Sequence, residues 1–246
     1  MKTTTLLIFT IILFSFAPQD DFLTEQKRYP RVRTAFEDKE DKVIKTLEHS
    51  GIKVNELNIL IMAFKAEERL NIYAKNRTDT NYKKLLSYKI CSNSGVLGPK
   101  RKEGDAQVPE GFYHIDRFNP ASTFYLSLGL NYPNSSDRKL SKHPNLGGDI
   151  FIHGNCVTIG CMPMTNTKIK EIYLFAIHAR NNGQLKIPVY IFPFKMTEEN
   201  FNTYKNNGTK IELIDFWTNL KTGYDKFIRD KKELEISVDR EGNYIY

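Results

Sequence analysis

The chain has 246 residues, of which 40% are hydrophobic, and a formal net charge of +7 with a pI near 9.1. This length allows one large or two small domains, and the composition is that of an ordinary globular protein with enough hydrophobic residues for a sizeable core. The positive charge suits an anionic surface such as a cell wall, a membrane face or nucleic acid. Because the lysines are spread along the whole chain, charge alone identifies no partner.

The first seventeen residues have the pattern of a secretory signal peptide. Lys2 precedes a largely apolar run, residues 6–14, that is too short to span a bilayer, and Ser15 and Ala17 supply the small residues of a cleavage site. An uncleaved N-terminal anchor fits the same pattern. We expect residues 1–17 to be a signal peptide, the chain to be exported to the periplasm or cell envelope, and nucleic acid not to be a partner.

The elements that follow are predicted from periodicity and turn residues. Residues 18–55 form a polar lead-in with a helix at 33–47, and residues 58–64 and 69–74 form a strand hairpin. Further strands are predicted at residues 84–91, 111–116, 124–130, 149–153 and 187–194. A long helix at 165–181 begins at a cap on Thr165 or Asn166.

The C-terminal part, residues 196–246, is predicted to be mostly helical. Helical patterns cover residues 197–205 and 211–232, and two short strands follow at 235–238 and 244–246. The residues expected to pack this extension onto the strands are Leu213, Phe216, Trp217, Leu220 and Phe227.

The segment from Asp149 to Cys161 combines a strand pattern with one histidine and two cysteines. Three interpretations fit these residue types. In the first, Cys161 is a nucleophile whose thiol pKa is lowered by His153, and amides near Gly160 form an oxyanion hole. In the second, His153, Cys156 and Cys161 bind zinc, although no fourth ligand is evident. In the third, the histidine belongs to the core, and the cysteines form a small disulfide or are inert thiols.

Residues 152–161, Ile-His-Gly-Asn-Cys-Val-Thr-Ile-Gly-Cys, resemble the catalytic stretch of the YkuD-like L,D-transpeptidases. The closest form is the YafK-like branch of murein L,D-transpeptidases, with its shortened motif His-Gly-Asn-Cys-x-Ser/Thr-x-Gly-Cys. Other segments resemble that branch in the same order: residues 94–100, 103–105, 108–113, 131–133 and 137–138. The resemblance covers roughly residues 57–194.

The resemblance implies a mostly β (α+β) fold, with a β-sandwich catalytic domain over residues 56–195. It implies that Cys161 attacks a carbonyl of a peptidoglycan stem peptide to give a thioester, with His153 as base, and that no metal or organic cofactor takes part. An amine acceptor then gives transpeptidation, and water gives carboxypeptidase or endopeptidase cleavage. A wall-binding module without activity is the alternative from another class.

The roles of the remaining motif residues are expected to be supporting ones. Thr158, Gly154 and Gly160 are expected to hold the loop or the oxyanion, while Tyr132 and Arg138 are candidates for substrate binding. The motif of this chain differs from that of most of the family at two positions. Ile159 replaces a second histidine, and Met162 follows the nucleophile where most of the family has arginine. We expect Cys156 and Cys161 to be reduced in the active enzyme, because a bridge between them would block the nucleophile.

Overall fold

The computed structural model of the chain describes residues 21–246, so the predicted signal peptide lies outside the described residues. The helices are α1 (Phe22–Lys27), α2 (Pro30–His49), α3 (Ser135–Leu140), α4 (Asn166–Asn181), α5 (Glu198–Asn206) and α6 (Ile211–Asp230). The strands are β1 (Leu57–Phe64), β2 (Arg69–Asn76), β3 (Lys83–Lys89), β4 (Gly111–Asn119), β5 (Ser127–Leu130), β6 (Phe151–His153), β7 (Met162–Pro163), β8 (Ile187–Phe192), β9 (Ser237–Val238) and β10 (Tyr244–Ile245).

Eight strands form one mixed sheet in the order β3-β2-β1-β8-β4-β5-β6-β7. The predicted hairpin is present as β1 and β2, which pair antiparallel from Leu57 opposite Asn76 to Phe64 opposite Arg69. Two pairs are parallel, β1 with β8 and β6 with β7. A β-rich sheet with helices packed against it confirms the predicted α+β class.

Helices α1, α2 and α4 cover one face of the sheet. The apolar side of α4 is buried against the strands, as the predicted stripe requires, and the Thr165 side chain accepts from the backbone N–H of Lys168 as the helix cap. Arg31 of α2 donates to the carbonyls of Ser122 and Tyr125. The N-terminal helices therefore also hold the segment that leads into β5.

The C-terminal extension covers the other face. Trp217, Leu220 and Phe227 of α6 are buried among strand residues such as Tyr73 and Phe192. The predicted packing of this extension onto the sheet is confirmed. Because both faces are covered, all of β1 except Asn58 is buried, which is typical of a central strand.

The observed elements differ from the predicted ones mainly at their ends. Strand β5 starts at Ser127 rather than Phe124, because residues 120–126 form a turn in which Tyr125 adopts a φ of 77°. Helix α3 was not predicted; the Asn134 and Asp137 side chains cap it reciprocally, so it forms although it has only six residues. Within residues 21–246, no helix is both long and apolar enough to cross a membrane.

Candidate active site

Strands β6 and β7 bring the histidine and the nucleophile candidate together. Strand β6 ends at His153, the chain loops through residues 154–161, and β7 returns beside β6 with Ile152 opposite Met162 and His153 opposite Pro163. Cys161 immediately precedes β7. The predicted return of the chain therefore occurs, and the side chains of His153 and Cys161 face one cleft.

This cleft has a volume of about 510 Å³ and a mostly apolar lining. The lining residues are Asn119, Ser122, Thr123, Phe124, Ser127, Asp149, Phe151, His153, Val157, Thr158, Ile159 and Cys161. Ile159 and Val157 on the loop are 87% and 52% exposed, so the rim beside the thiol presents bare apolar surface to solvent. A bound substrate would cover part of that surface.

His153 is held in the tautomer that a general base needs. Its side chain is buried, its ring lies 4.6 Å from that of Phe124, and Nδ1 lies 2.5 Å from the Gly154 carbonyl oxygen. Because a carbonyl oxygen only accepts hydrogen bonds, the proton is assigned to Nδ1, and Nε2 is left as an acceptor. Burial lowers the pKa of His153, so the ring is neutral near neutral pH.

Cys161 is the one free cysteine of the three in the chain. Its S–H donates to the Asp149 carbonyl oxygen at 3.6 Å. Burial raises the pKa of this thiol, and the negative charge of Asp149 adds to the increase, although the Phe151 backbone amide opposes it. The resting site is thus a neutral thiol and a neutral imidazole, not the ion pair with a lowered thiol pKa that the sequence suggested.

The Thr158 side chain forms three hydrogen bonds within the catalytic loop. Its Oγ1 accepts from the backbone amides of Gly160 at 3.2 Å and Cys161 at 2.8 Å, and it donates to the Cys161 carbonyl at 2.8 Å. One donated and two accepted bonds saturate a hydroxyl group. The two amides expected to form an oxyanion hole are therefore engaged by Thr158 in this structure.

The two glycines of the motif are required by geometry. Gly160 has a φ of 136°, which a residue with a Cβ rarely adopts. A Cβ on Gly154 would lie 2.7 Å from Oδ1 of Asn166 and 2.8 Å from the Phe124 carbonyl oxygen. Gly154 thus lets the loop pass close to the start of α4.

Cys156 is not reduced, which corrects the expectation from the sequence. It forms a disulfide with Cys91, 65 residues earlier and just after β3, with the two Cα atoms 5.5 Å apart. This bridge attaches the middle of the catalytic loop to a different part of the sheet and leaves Cys161 free. It also removes Cys156 as a zinc ligand, and within the described part of the chain no cluster of three or more metal-binding side chains occurs.

Comparison with known proteins identifies the family. Residues 58–191 match the model of the YkuD family, the L,D-transpeptidase catalytic domain. The chain belongs to this family. It is therefore an enzyme of the L,D-transpeptidase type that acts on peptidoglycan.

The chain is also similar to individual proteins. The chain is 41% identical over 189 residues to the protein named "Putative L,D-transpeptidase YafK" from Escherichia coli K12 and O157:H7, covering 76% of this chain and 73% of either relative. Among solved structures, it is similar to the helical cell shape determining protein Pgp2 of Campylobacter jejuni, with 20% identity, a TM-score of 0.45 and coverage of 74% and 73% of the two chains. Bd1075 of Bdellovibrio bacteriovorus matches with 21% identity, a TM-score of 0.39 and coverage of 70% and 56%.

The structure does not bring Tyr132 and Arg138 to the cleft. Tyr132 is buried, and its hydroxyl donates to the carbonyls of Lys100 and Leu146. Arg138 lies on the exposed side of α3. Neither residue belongs to the cleft lining, so a direct role in binding would require a substrate that extends well beyond the cleft.

Much of the remaining motif set builds a buried polar scaffold. The fully buried Glu110 carboxylate accepts from Lys65 Nζ at 2.9 Å, from the Gly98 amide at 2.7 Å and from Trp217 Nε1 at 2.8 Å. Asp137 accepts in the same way from Arg101 and from the Tyr113 hydroxyl. These residues hold the loops that support the catalytic segment rather than lining the cleft.

Five cleft residues outside the segment 149–161 were not predicted from the sequence: Asn119, Ser122, Thr123, Phe124 and Ser127. They reach the site because β5 pairs with β6, with Ser127 directly opposite His153. The sequence pattern does predict a strand at residues 124–130, close to these residues. The pattern alone could not show which strand pairs with it.

Proposed function

We propose that this chain is an exported cysteine L,D-transpeptidase that remodels peptidoglycan through a thioester on Cys161. The observation that carries the proposal is the 2.5 Å contact of His153 Nδ1 with the Gly154 carbonyl oxygen, which assigns the ring proton to Nδ1 and leaves Nε2 to accept a proton in the cleft that contains the free thiol of Cys161. The family and the predicted signal peptide support the substrate and the compartment. Stem peptides are the proposed acyl donors, and the enzyme is peripheral to the cell wall.

In the proposed first step, the Cys161 side chain turns from the Asp149 carbonyl toward His153. Nε2 takes the thiol proton as the sulfur attacks the stem-peptide carbonyl, and the imidazolium then gives that proton to the departing amine. Because burial opposes both the thiolate and the imidazolium, the ion pair forms only as the substrate reacts. A raised thiol pKa also gives a more nucleophilic thiolate once the proton has moved.

The oxyanion of the tetrahedral intermediate needs donors that the resting loop does not offer. The Gly160 and Cys161 amides both point at Thr158. We propose that substrate binding draws the Thr158 hydroxyl away from at least one of them, which then donates to the oxyanion. The loop is held by the disulfide at Cys156, so this change involves only the few residues between the bridge and β7.

The test is intact-mass analysis of the mature protein after incubation with tetrapeptide muropeptides, with the digest products also read by mass. The wild type is expected to carry an acyl adduct and to change the products, whereas Cys161→Ala should do neither. His153→Asn, which retains a polar side chain, should slow adduct formation by about 10²–10⁴-fold, the usual contribution of a general base. Wild-type products from Cys161→Ala would contradict the proposal.

The same digest separates the two fates of the thioester. Crosslinked dimers indicate transfer to an amine, and shortened peptides or a free D-amino acid indicate hydrolysis. Identical behaviour of the wild type and Cys161→Ala, with no adduct on either, would favour a wall-binding module without activity.

A further inference from the structure

Asp149 is the only carboxylate among the residues that line the cleft. Its backbone carbonyl contacts the Cys161 sulfur, and its side chain is 78% exposed. The other lining residues are apolar or uncharged, apart from His153, which is neutral at rest. One negative charge therefore stands beside the nucleophile without a compensating charge in the lining.

The cation nearest to this carboxylate neutralises it only in part. Arg117 Nη1 lies 2.9 Å from Asp149 Oδ1, but Arg117 Nε also lies 3.2 Å from Asp116 Oδ1. One guanidinium shared by two carboxylates leaves this group with a net charge of −1. The guanidinium also lies 4.9 Å from the centre of the Phe151 ring in the cleft wall, so Arg117 contacts both this ring and the Asp149 carboxylate. A carboxylate accepts about four hydrogen bonds, so the contact with Arg117 leaves Asp149 able to accept others.

We propose that Asp149 determines the acyl acceptor by binding a cationic amine next to the thioester on Cys161. This inference rests on the proposed function and narrows it, because the site could otherwise use amines or water without preference. An ammonium group complements a carboxylate that its own cation neutralises only in part, next to an otherwise apolar lining. Water carries no charge, so the hydrogen bond that it donates to the same carboxylate is weaker.

The transfer step balances as follows. The bound ammonium loses one proton to His153 Nε2, which passes it to solvent, and the free amine attacks the thioester carbonyl. The C–N bond forms, the C–S bond breaks, and the sulfur leaves as thiolate. The second amine proton passes through His153 to that thiolate. The products are the new amide, the Cys161 thiol and one released proton.

The experiment measures how a preformed acyl-enzyme partitions between acceptors. Wild-type acyl-enzyme, identified by its mass, is mixed near pH 7 with glycinamide, whose amine is largely protonated, or with methoxyamine, which remains unprotonated at that pH. The measured quantity is the ratio of transferred peptide to hydrolysed peptide. This ratio is set after acylation, so it does not depend on how fast a variant acylates.

Asp149→Asn is the test variant, and Asp116→Asn is the matched control. Both remove one carboxylate from the same guanidinium, but only Asp149 lines the cleft. Asp149 has a φ of 55°, and asparagine tolerates this conformation well, so the variant should fold. We expect Asp149→Asn to lower the glycinamide-to-water ratio about tenfold, as loss of one charge-assisted contact predicts, and to leave the methoxyamine-to-water ratio unchanged. Asp116→Asn should lower the glycinamide-to-water ratio by less, because the Asp149 carboxylate remains in the cleft, and should leave the methoxyamine-to-water ratio unchanged.

Three outcomes would overturn the inference. Asp149→Asn could leave the glycinamide ratio unchanged, it could lower both ratios equally, or the wild type could hydrolyse its acyl-enzyme without forming any glycinamide product. In each of these cases an acyl adduct still forms, so the proposed function stands. Absence of the adduct from the wild type would instead contradict the proposed function, and the inference with it.

Discussion

The environment of the Cys161 thiol leads to a prediction about its reactivity. Burial raises the pKa of this thiol, and the Asp149 charge raises it further, so the thiolate fraction near neutral pH is smaller than for an ordinary cysteine. We expect the alkylation rate of the free enzyme by iodoacetamide to rise with pH, with a midpoint above that of a small model thiol. Because Cys91 and Cys156 are paired, Cys161 is the only site of reaction.

Asp149→Asn provides the control for that pH profile. Removing the negative charge should move the alkylation midpoint to lower pH, and Asp116→Asn should move it less, because Asp116 does not line the cleft. A wild-type midpoint below neutral pH would contradict the neutral resting pair. It would mean that His153 and Cys161 form an ion pair in the free enzyme.

Thr158 gives a second prediction at this scale. Thr158→Val keeps the shape of the side chain but leaves the Gly160 and Cys161 amides without their acceptor, whereas Thr158→Ser keeps the hydroxyl. We expect the valine variant to lose about 1–3 kcal/mol of unfolding free energy in urea and to form the acyl adduct more slowly. The serine variant should behave like the wild type. Equal behaviour of the two variants would show that the hydroxyl does not organise the loop.

At the residue scale, the sequence predicted the proximity of two side chains that are close in the chain. His153 and Cys161 are eight positions apart and are joined by a loop with glycines, so their meeting in one cleft follows from local geometry. Phe124 and Ser127 depend on which strand pairs with β6. The engagement of the loop amides by Thr158 depends on rotamers, which a motif does not specify.

Among the elements, the catalytic loop depends most on a distant attachment. Three attachments hold residues 154–161. The Gly154 amide donates to the Leu126 carbonyl, and the Asn155 amide donates to the Asn166 side chain. The third attachment is the Cys91–Cys156 disulfide. Cys156 itself is exposed, so the bridge supplies the restraint that packing does not. The sequence could not identify this pair, because three cysteines allow several pairings and spacing does not select one.

Removing the bridge should destabilise the fold. A cross-link between residues 65 positions apart lowers the entropy of the unfolded chain by an amount worth about 4 kcal/mol. We expect the Cys91→Ser/Cys156→Ser double variant to lose stability of this order in urea, and to acylate more slowly because the loop is less restrained. Dithiothreitol should reduce the stability of the wild type to a similar extent and leave that of the double variant unchanged. Equal stability of the two proteins without reductant would contradict this account.

At the scale of the whole molecule, the C-terminal extension is part of the core. Its aromatic residues fill the second face of the sheet, while the cleft is lined only by residues between 119 and 161. The helical periodicity and the aromatic pattern were sufficient to predict the packing. They could not show that the extension also carries Trp217 to the buried Glu110 carboxylate, since that contact joins residues 107 positions apart.

The Glu110 network should therefore control global stability rather than chemistry. Glu110→Gln removes the charge opposite Lys65, whose side chain is 9% exposed, so an ammonium is left buried without its counter-ion. We expect a loss of about 3–5 kcal/mol in unfolding free energy, measured in urea. Trp217→Phe removes only one hydrogen-bond donor and should cost less, about 1–3 kcal/mol. The Lys65→Met/Glu110→Gln double variant should recover part of the stability, because no unpaired charge remains. If the double variant is no more stable than Glu110→Gln alone, the buried charge is not the cause of the loss, and the hydrogen bonds from Gly98 and Trp217 carry the network.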